Sequence, residues 1–207
     1  MRRDLNHRRW NLNTHHHPVL LDAIPPDATT ALDVGSGDGV LAFDLAARGL
    51  DVTGIDVDSA SVRRASEDPE ATDRTTFVDG DVFAHPFEPA SFDFVTSNAM
   101  LHHVDARAGL ERMAELVRPG GVVAIVGFAT ASALADRVTA VAGSLLMRFQ
   151  MVRGRYREHH SPMRWPPPMS MDEMRSLVDD VLPGAAFRRE LGSRYSLVWR
   201  RPSMDDR

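Results

Sequence analysis

Between residues 30 and 126, short apolar runs alternate with segments whose apolar positions recur every three to four residues. The runs at 30–34, 51–55, 75–78, 92–96 and 122–126 read as strands. Residues 38–48, 60–66 and 106–117 read as helices. Asp105 stands at the start of the third helix, with Leu110, Met113, Ala114 and Val117 on one face. Gly49 is placed to end the first helix, and Ser59 can cap the second. Residues 67–73 are polar, hold Pro69 and form a loop. Val122–Val126 is apolar at every position, as at the centre of a parallel sheet. Short strands alternating with helices predict a doubly wound α/β sheet.

The flanks are patterned differently. Residues 1–12 are polar and basic and predict a loose arm. Thr14 opens a helix over 15–24, stopped by Pro25 and Pro26. After Gly127, Leu134, Val138, Val141, Leu145 and Phe149 trace one face of a helix over 132–152. Residues 153–168 are basic and irregular, Ser170 caps a helix over 171–181, and runs at 186–191 and 195–200 flank Gly192 and Ser193. Those last runs predict an antiparallel hairpin at the sheet edge. The chain thus reads as one domain over 1–207, with an arm and helix at 1–24 and an insertion at 128–169 that would cover a substrate.

Composition narrows the chemistry. With 43% hydrophobic and 26% charged residues, the 207-residue chain belongs with globular proteins. No run approaches the roughly 18 apolar residues of a membrane span, and the basic start lacks a signal-peptide core, so a cytoplasmic location is expected. There is no cysteine and no lysine. Disulfides, thiolate metal sites and a cysteine nucleophile are excluded, as is a Schiff-base lysine. A phosphate loop of the Gly-Lys type is absent. The net charge of −5 argues against nucleic acid as partner. His15, His16 and His17 are adjacent, so their side chains leave a helix in different directions and do not suit one metal ion. No metal site is expected.

The candidate chemistry centres on residues 31–41, where a strand breaks into Gly35, Gly37 and Gly39 before a helix begins. Glycine lets the backbone turn tightly and approach a ligand, and a helix N-terminus favours an anion. Asp56 lies 21 positions after Gly35, at the end of the second strand, where a carboxylate accepts from ribose hydroxyls. Asp81 follows the third strand and is placed to meet an adenine amino group. Dinucleotide enzymes use G-x-G-x-x-G. Here the third glycine comes one residue early, which fits an adenosyl group without a pyrophosphate better than NAD.

The chain resembles the class I S-adenosylmethionine-dependent methyltransferases, and most closely their small single-domain branch, which often acts on small molecules. The matching pieces are Leu32-Asp33-Val34-Gly35-Ser36-Gly37-Asp38-Gly39, Gly54-Ile55-Asp56-Val57-Asp58, Gly80-Asp81-Val82, Phe92-Asp93-Phe94-Val95 with Leu101-His102-His103-Val104, and Arg118-Pro119-Gly120-Gly121. They stand in the family's order across residues 14–127. The resemblance implies a Rossmann-like sheet of seven strands, mostly parallel with the last reversed, and S-adenosyl-L-methionine as cofactor. It implies that Gly35 and Gly37 pass close to the cofactor's amino acid portion, and that Asp33 helps hold its ammonium. Asp56 would bind the ribose, Val57 would pack beside the adenine, and Asp81 with the Val82 backbone would read the adenine edge. Ser97 and Asn98 would line the methyl-donor end.

His102 or His103 is a candidate general base, although Leu-His-His is also a structural feature of the family. Tyr156, His159, His160 and Tyr195 are weaker rivals. Met147, Met151 and Met163 could shape an adaptable pocket, or the long helix is plain core. Arginines 148, 153, 155, 157 and 164 could attract an acidic substrate or a membrane surface, or form a solvated face. Cytosine C5 methylation needs a cysteine, and Ser97-Asn98-Ala99-Met100 departs from the Asn-Pro-Pro-Tyr tetrad of amino-methylating nucleic-acid enzymes. A small-molecule acceptor remains by elimination. The competing readings are an NAD(P)-dependent Rossmann oxidoreductase and a non-catalytic cofactor-binding module. The oligomeric state is not legible.

Overall fold

The computed structural model describes residues 10–156 and 165–203. Most of the basic arm, and Arg157, His159, His160, Met163 and Arg164, lie outside the described residues. Seven strands form one sheet in the order β3-β2-β1-β4-β5-β7-β6. They are β1 (Thr30–Val34), β2 (Asp51–Asp56), β3 (Thr75–Asp79), β4 (Phe92–Asn98), β5 (Val117–Phe128), β6 (Ala186–Glu190) and β7 (Arg194–Arg200). The first five pair in parallel. β7 runs antiparallel between β5 and β6, so the reversed strand lies inside the sheet and β6 forms its edge.

Alternation along the strands builds a core on each face. Ala31, Phe94, Ala124 and Val126 pack toward α2 (His17–Leu21) and α3 (Val40–Ala46), meeting Leu20, Leu21, Leu41 and Leu45. Leu32, Val34, Val95, Val123 and Ile125 pack toward α5 (Ala106–Leu116) and α7 (Met171–Val181), meeting Leu110, Met113 and Val178. Each Val, Leu, Ile, Phe or Met among them stabilises the fold by about 1.5–3 kcal/mol on burial. The remaining helices are α1 (Leu12–His15), α4 (Ser59–Ser66) and α6 (Leu134–Val152).

Several boundaries differ from the sequence expectation. The single helix expected over 15–24 is two short helices broken at His16, because Pro18 has no N–H to bond back to the Thr14 carbonyl. Asn11, not Thr14, caps the first through Oδ1, which accepts from the Asn13 and Thr14 N–H groups at 2.8 and 3.0 Å. Asp58, not Ser59, caps α4, since its carboxylate reaches the Ala60 N–H at 3.2 Å and the Ser61 hydroxyl at 2.7 Å. β5 begins at Val117 rather than Val122, because Val117 already pairs with Phe92; the register then shifts, and Phe94 pairs with Val122. The apolar face of α6 is not core. Leu134, Val138, Val141, Leu145 and Phe149 are all exposed.

Candidate functional site

Strand order reverses between β1 and β4, so the connections that leave their C-terminal ends part to opposite sides and open a crevice, the position where open α/β sheets bind ligands. The glycine turn follows β1, with φ of +74° at Gly35, +52° at Gly37 and +79° at Gly39. A side chain at Gly35 would collide with Met100. The turn's donors are engaged within the protein. Gly35 and Ser36 N–H donate to the Ile55 carbonyl at 2.8 and 3.1 Å, and Gly37 N–H donates to Asp56 Oδ2 at 2.8 Å. Asp56 is thus the anion on this turn, and these three N–H groups are not left for a phosphate.

A small cavity of about 100 Å³ is bordered by the turn, Asp33, Asn98 and the first helix. Three buried polar atoms on its walls have no hydrogen-bond partner: Asp33 Oδ2, Ser36 Oγ and Asn98 Oδ1. Burial, and then the nearby Asp56 carboxylate, push the Asp33 carboxyl up to about 8. Buried polar atoms without partners are costly. Three such oxygens around one space suit a ligand cation with several N–H donors.

A larger cleft of about 280 Å³ shares Gly35, Asn13 and Asn98 with that cavity. Sheet order sets its ends. Asp56, which ends β2, Val57, and Asp81 with Val82 beyond β3 lie on one side, and Met100, His102 and His103 beyond β4, with Phe128 at the end of β5, lie on the other. Val57 is 72% exposed and forms an apolar wall. Asp56 Oδ1 accepts from the Asp58 N–H at 2.9 Å, so each oxygen has one backbone donor and keeps another lone pair. Asp81 accepts from the Phe83 N–H at 2.9 Å, and Arg112 holds the Val82 carbonyl at 3.0 Å. His102 is buried, with its ring 4.0 Å from that of His103 and 4.9 Å from that of Phe128; His103 is exposed.

Some expected residues are placed elsewhere. Ser97 is fully buried and lines neither cavity; its hydroxyl donates to the Val34 carbonyl at 2.8 Å and ties β4 to β1. Asn98, one residue on, points the other way and borders both cavities. Tyr156 and Tyr195 line neither, and the Tyr195 hydroxyl is buried against Gly127, with burial pushing it up. Met147 and Met151 line neither cavity, nor does any other residue of α6. The three histidines part company. His16 Nε2 lies 3.1 Å from the Leu191 carbonyl, and His17 Nδ1 lies 2.6 Å from Asp44 Oδ2. Burial, and then Arg194, hold His16 down at about 4.

Sequence reasoning missed Asn13 and Arg194. The Asn13 carbonyl accepts from Asn98 Nδ2 at 3.2 Å and its Oδ1 from Arg194 at 2.7 Å. Arg194 in turn lies 4.2 Å over the Phe128 ring. This chain of contacts closes the first helix over the crevice. Nothing local marks Asn13, whose partners lie 85 and 181 positions away.

Sheet order, the inserted antiparallel β7 and a crevice at the β1–β4 divergence define a Rossmann-like cofactor-binding protein. Comparisons carry this further. Residues 32–125 match the methyltransferase domain family. An uncharacterized methyltransferase of Mycobacterium tuberculosis is 42% identical over 198 residues, 93% of this chain and 98% of the relative. A ubiquinone biosynthesis O-methyltransferase of Paracidovorax citrulli is 34% identical over 137 residues, 58% of this chain and 56% of that protein. Among solved structures, a phosphoethanolamine N-methyltransferase 2 of Haemonchus contortus, in complex with phosphomonomethylethanolamine and S-adenosylhomocysteine, is similar with a TM-score of 0.66. At 16% identity over 91% of this chain and 53% of that one, the likeness is one of fold. The chain belongs to the methyltransferase family, as an S-adenosylmethionine-dependent enzyme of its class I.

Proposed function

We propose that Asp33, Ser36 and Asn98 take the ammonium of S-adenosylmethionine in the small cavity, and that the larger cleft holds the adenosyl group and a small-molecule acceptor. The observation that carries this is the set of three buried oxygens without partners on one cavity wall. Gly35 and Gly37 let the turn pass close to the amino acid portion. The free lone pairs of Asp56 meet the ribose hydroxyls, Val57 packs on the adenine, and Asp81 with the Val82 backbone reads its edge. Ser97 takes no part in lining the donor end; Asn98 does.

S-adenosylmethionine supplies a methyl group already activated on a sulfonium. The chain's own work is therefore to align the acceptor, exclude water and, for a hydroxyl acceptor, remove a proton. His103 is the ring an acceptor reaches, while His102 packs between it and Phe128. The N–H groups already bonded in the glycine turn favour this function over an NAD-dependent oxidoreductase, which needs donors there for a pyrophosphate. A cytoplasmic location accords with an intracellular methyl donor, and no helix among the described residues is long and apolar enough to cross a membrane.

Calorimetry with S-adenosylmethionine, S-adenosylhomocysteine and NAD tests the assignment. Heat is expected with the first two and none with NAD; the reverse pattern would sink it. Asp56→Ala is expected to weaken S-adenosylhomocysteine binding by about 1–3 kcal/mol, through loss of charged hydrogen bonds and of the clasp on Gly37.

A further inference from the structure

The largest departure from an ordinary surface is the outer side of α6. Ten large apolar side chains stand exposed among the described residues. Val57 and Phe83 line the cleft, and Trp165 meets Phe128 at the cleft wall. The other seven lie on α6. Six of them, Leu134, Val138, Val141, Leu145, Phe149 and Val152, are 53–89% exposed. Their spacing confines them to an arc of about 80° along about 27 Å of helix. The opposite side seats the helix on the fold. Asp136 pairs with Arg189 at 2.5 Å, and Gly143 lies against Gly192 so closely that a side chain there would collide with it.

Charge says what covers the stripe. Arg137, Arg148, Arg153 and Arg155 are exposed and have no carboxylate partner among the described residues. The only acid from 134 to 156 is Asp136, which is buried. A protein of net charge −5 thus carries a local positive border around a stripe that holds six of the ten exposed large apolar side chains among the described residues. Two copies packed stripe to stripe would set arginine against arginine with no carboxylate to answer. An anionic lipid surface satisfies both features, because acyl chains take the apolar arc and head groups take the guanidinium ions.

We propose that α6 docks this protein on anionic membrane surfaces, lying in the interface with the Leu134–Val152 stripe inward. Since α6 lines neither cavity, docking stands apart from the cofactor assignment and its test needs no acceptor.

The test is co-sedimentation of the full chain with vesicles of phosphatidylcholine plus phosphatidylglycerol, against phosphatidylcholine alone, at low and high salt. Binding to the mixed vesicles is expected, weakened by salt. Arg148→Glu should lower it about fivefold or more. Leu145→Glu with Phe149→Glu should abolish it, while S-adenosylhomocysteine binding and the unfolding midpoint stay at their original values. Absence of wild-type binding, equal binding to both vesicles, or binding that survives the double substitution would overturn the proposal. A wild-type dimer in light scattering that the double variant converts to monomer would also overturn it, by giving the stripe to a second copy.

Discussion

Asp33 and Asp136 are both 1% exposed carboxylates, and they are treated in opposite ways. Asp136 opens α6 and is fully answered. Its Oδ2 accepts from Ser132 N–H at 2.9 Å, the Ser132 hydroxyl at 3.1 Å and Ala133 N–H at 2.8 Å, and its Oδ1 meets Arg189. Burial pushes this carboxyl up, but the Ala133 N–H, Arg189 and Ser132 outweigh it, and the net shift is downward. Asp33, at the end of β1, has an oxygen without a partner, and burial drives it up to about 8. A buried acid that the fold satisfies holds structure. A buried acid that the fold leaves unsatisfied stores affinity for a cation that comes from outside.

That contrast can be broken at either end. The largest effect is expected at Asp136. Asp136→Ala removes the bonds that its carboxylate accepts from Ser132 and Ala133 at the start of α6 and takes the buried partner from Arg189, which keeps only the exposed Asp172, and should cost about 3 kcal/mol of stability in urea unfolding. A loss below 1 kcal/mol would mean that the α6 seat does not depend on it. The next effect is expected in ligand binding. Asp33→Asn should weaken S-adenosylhomocysteine by about 2 kcal/mol, roughly thirtyfold, in calorimetry, because a neutral amide cannot answer an ammonium. Unchanged affinity would move the ammonium elsewhere.

A third effect concerns pH and has the opposite sign in stability. Between the ordinary 3.8 and about 8, folded Asp33 keeps a proton that the unfolded chain has lost. Its contribution to stability therefore falls as pH rises through that window and levels off above it. In the cofactor-free state Asp33→Asn should be more stable than wild type by about 1 kcal/mol or more at pH 9, and level with it near pH 4. At neutral pH the wild type should release up to one proton on binding the ammonium. Calorimetry in buffers of different ionisation heat would read that release, and the variant should show none.

Much of the site was legible along the chain because its parts are local. Glycines at alternate positions between an apolar run and a helical pattern read as a tight turn after a strand, and an acid at the end of the next strand is read from spacing. Asp33, Asp56, Asp81, Val57 and Val82 each border one or the other cavity. Ser97 and Asn98 were expected together, yet a strand sends neighbours to opposite sides, and the structure puts one inside the sheet and the other on the wall. Nothing short-range says that Asp56 clasps Gly37, that Asn13 is pinned by Arg194, or that the N-terminal helix closes the crevice. Those contacts join residues between 19 and 181 positions apart.

The sequence alone determined the order and kind of the elements, the glycine turn and the identity of the acids at the strand ends. Periodicity, turn chemistry and capping act over a few residues and are written into adjacent side chains. Which apolar faces find partners was settled in three dimensions. The α5 and α6 patterns look alike along the chain, but α5 lies on the sheet and α6 touches the fold through Asp136 and Gly143 alone among its buried residues. An amphipathic stripe records that a helix has one greasy side. Whether that side meets a core or solvent depends on how the whole sheet and its edge strands are laid out around it.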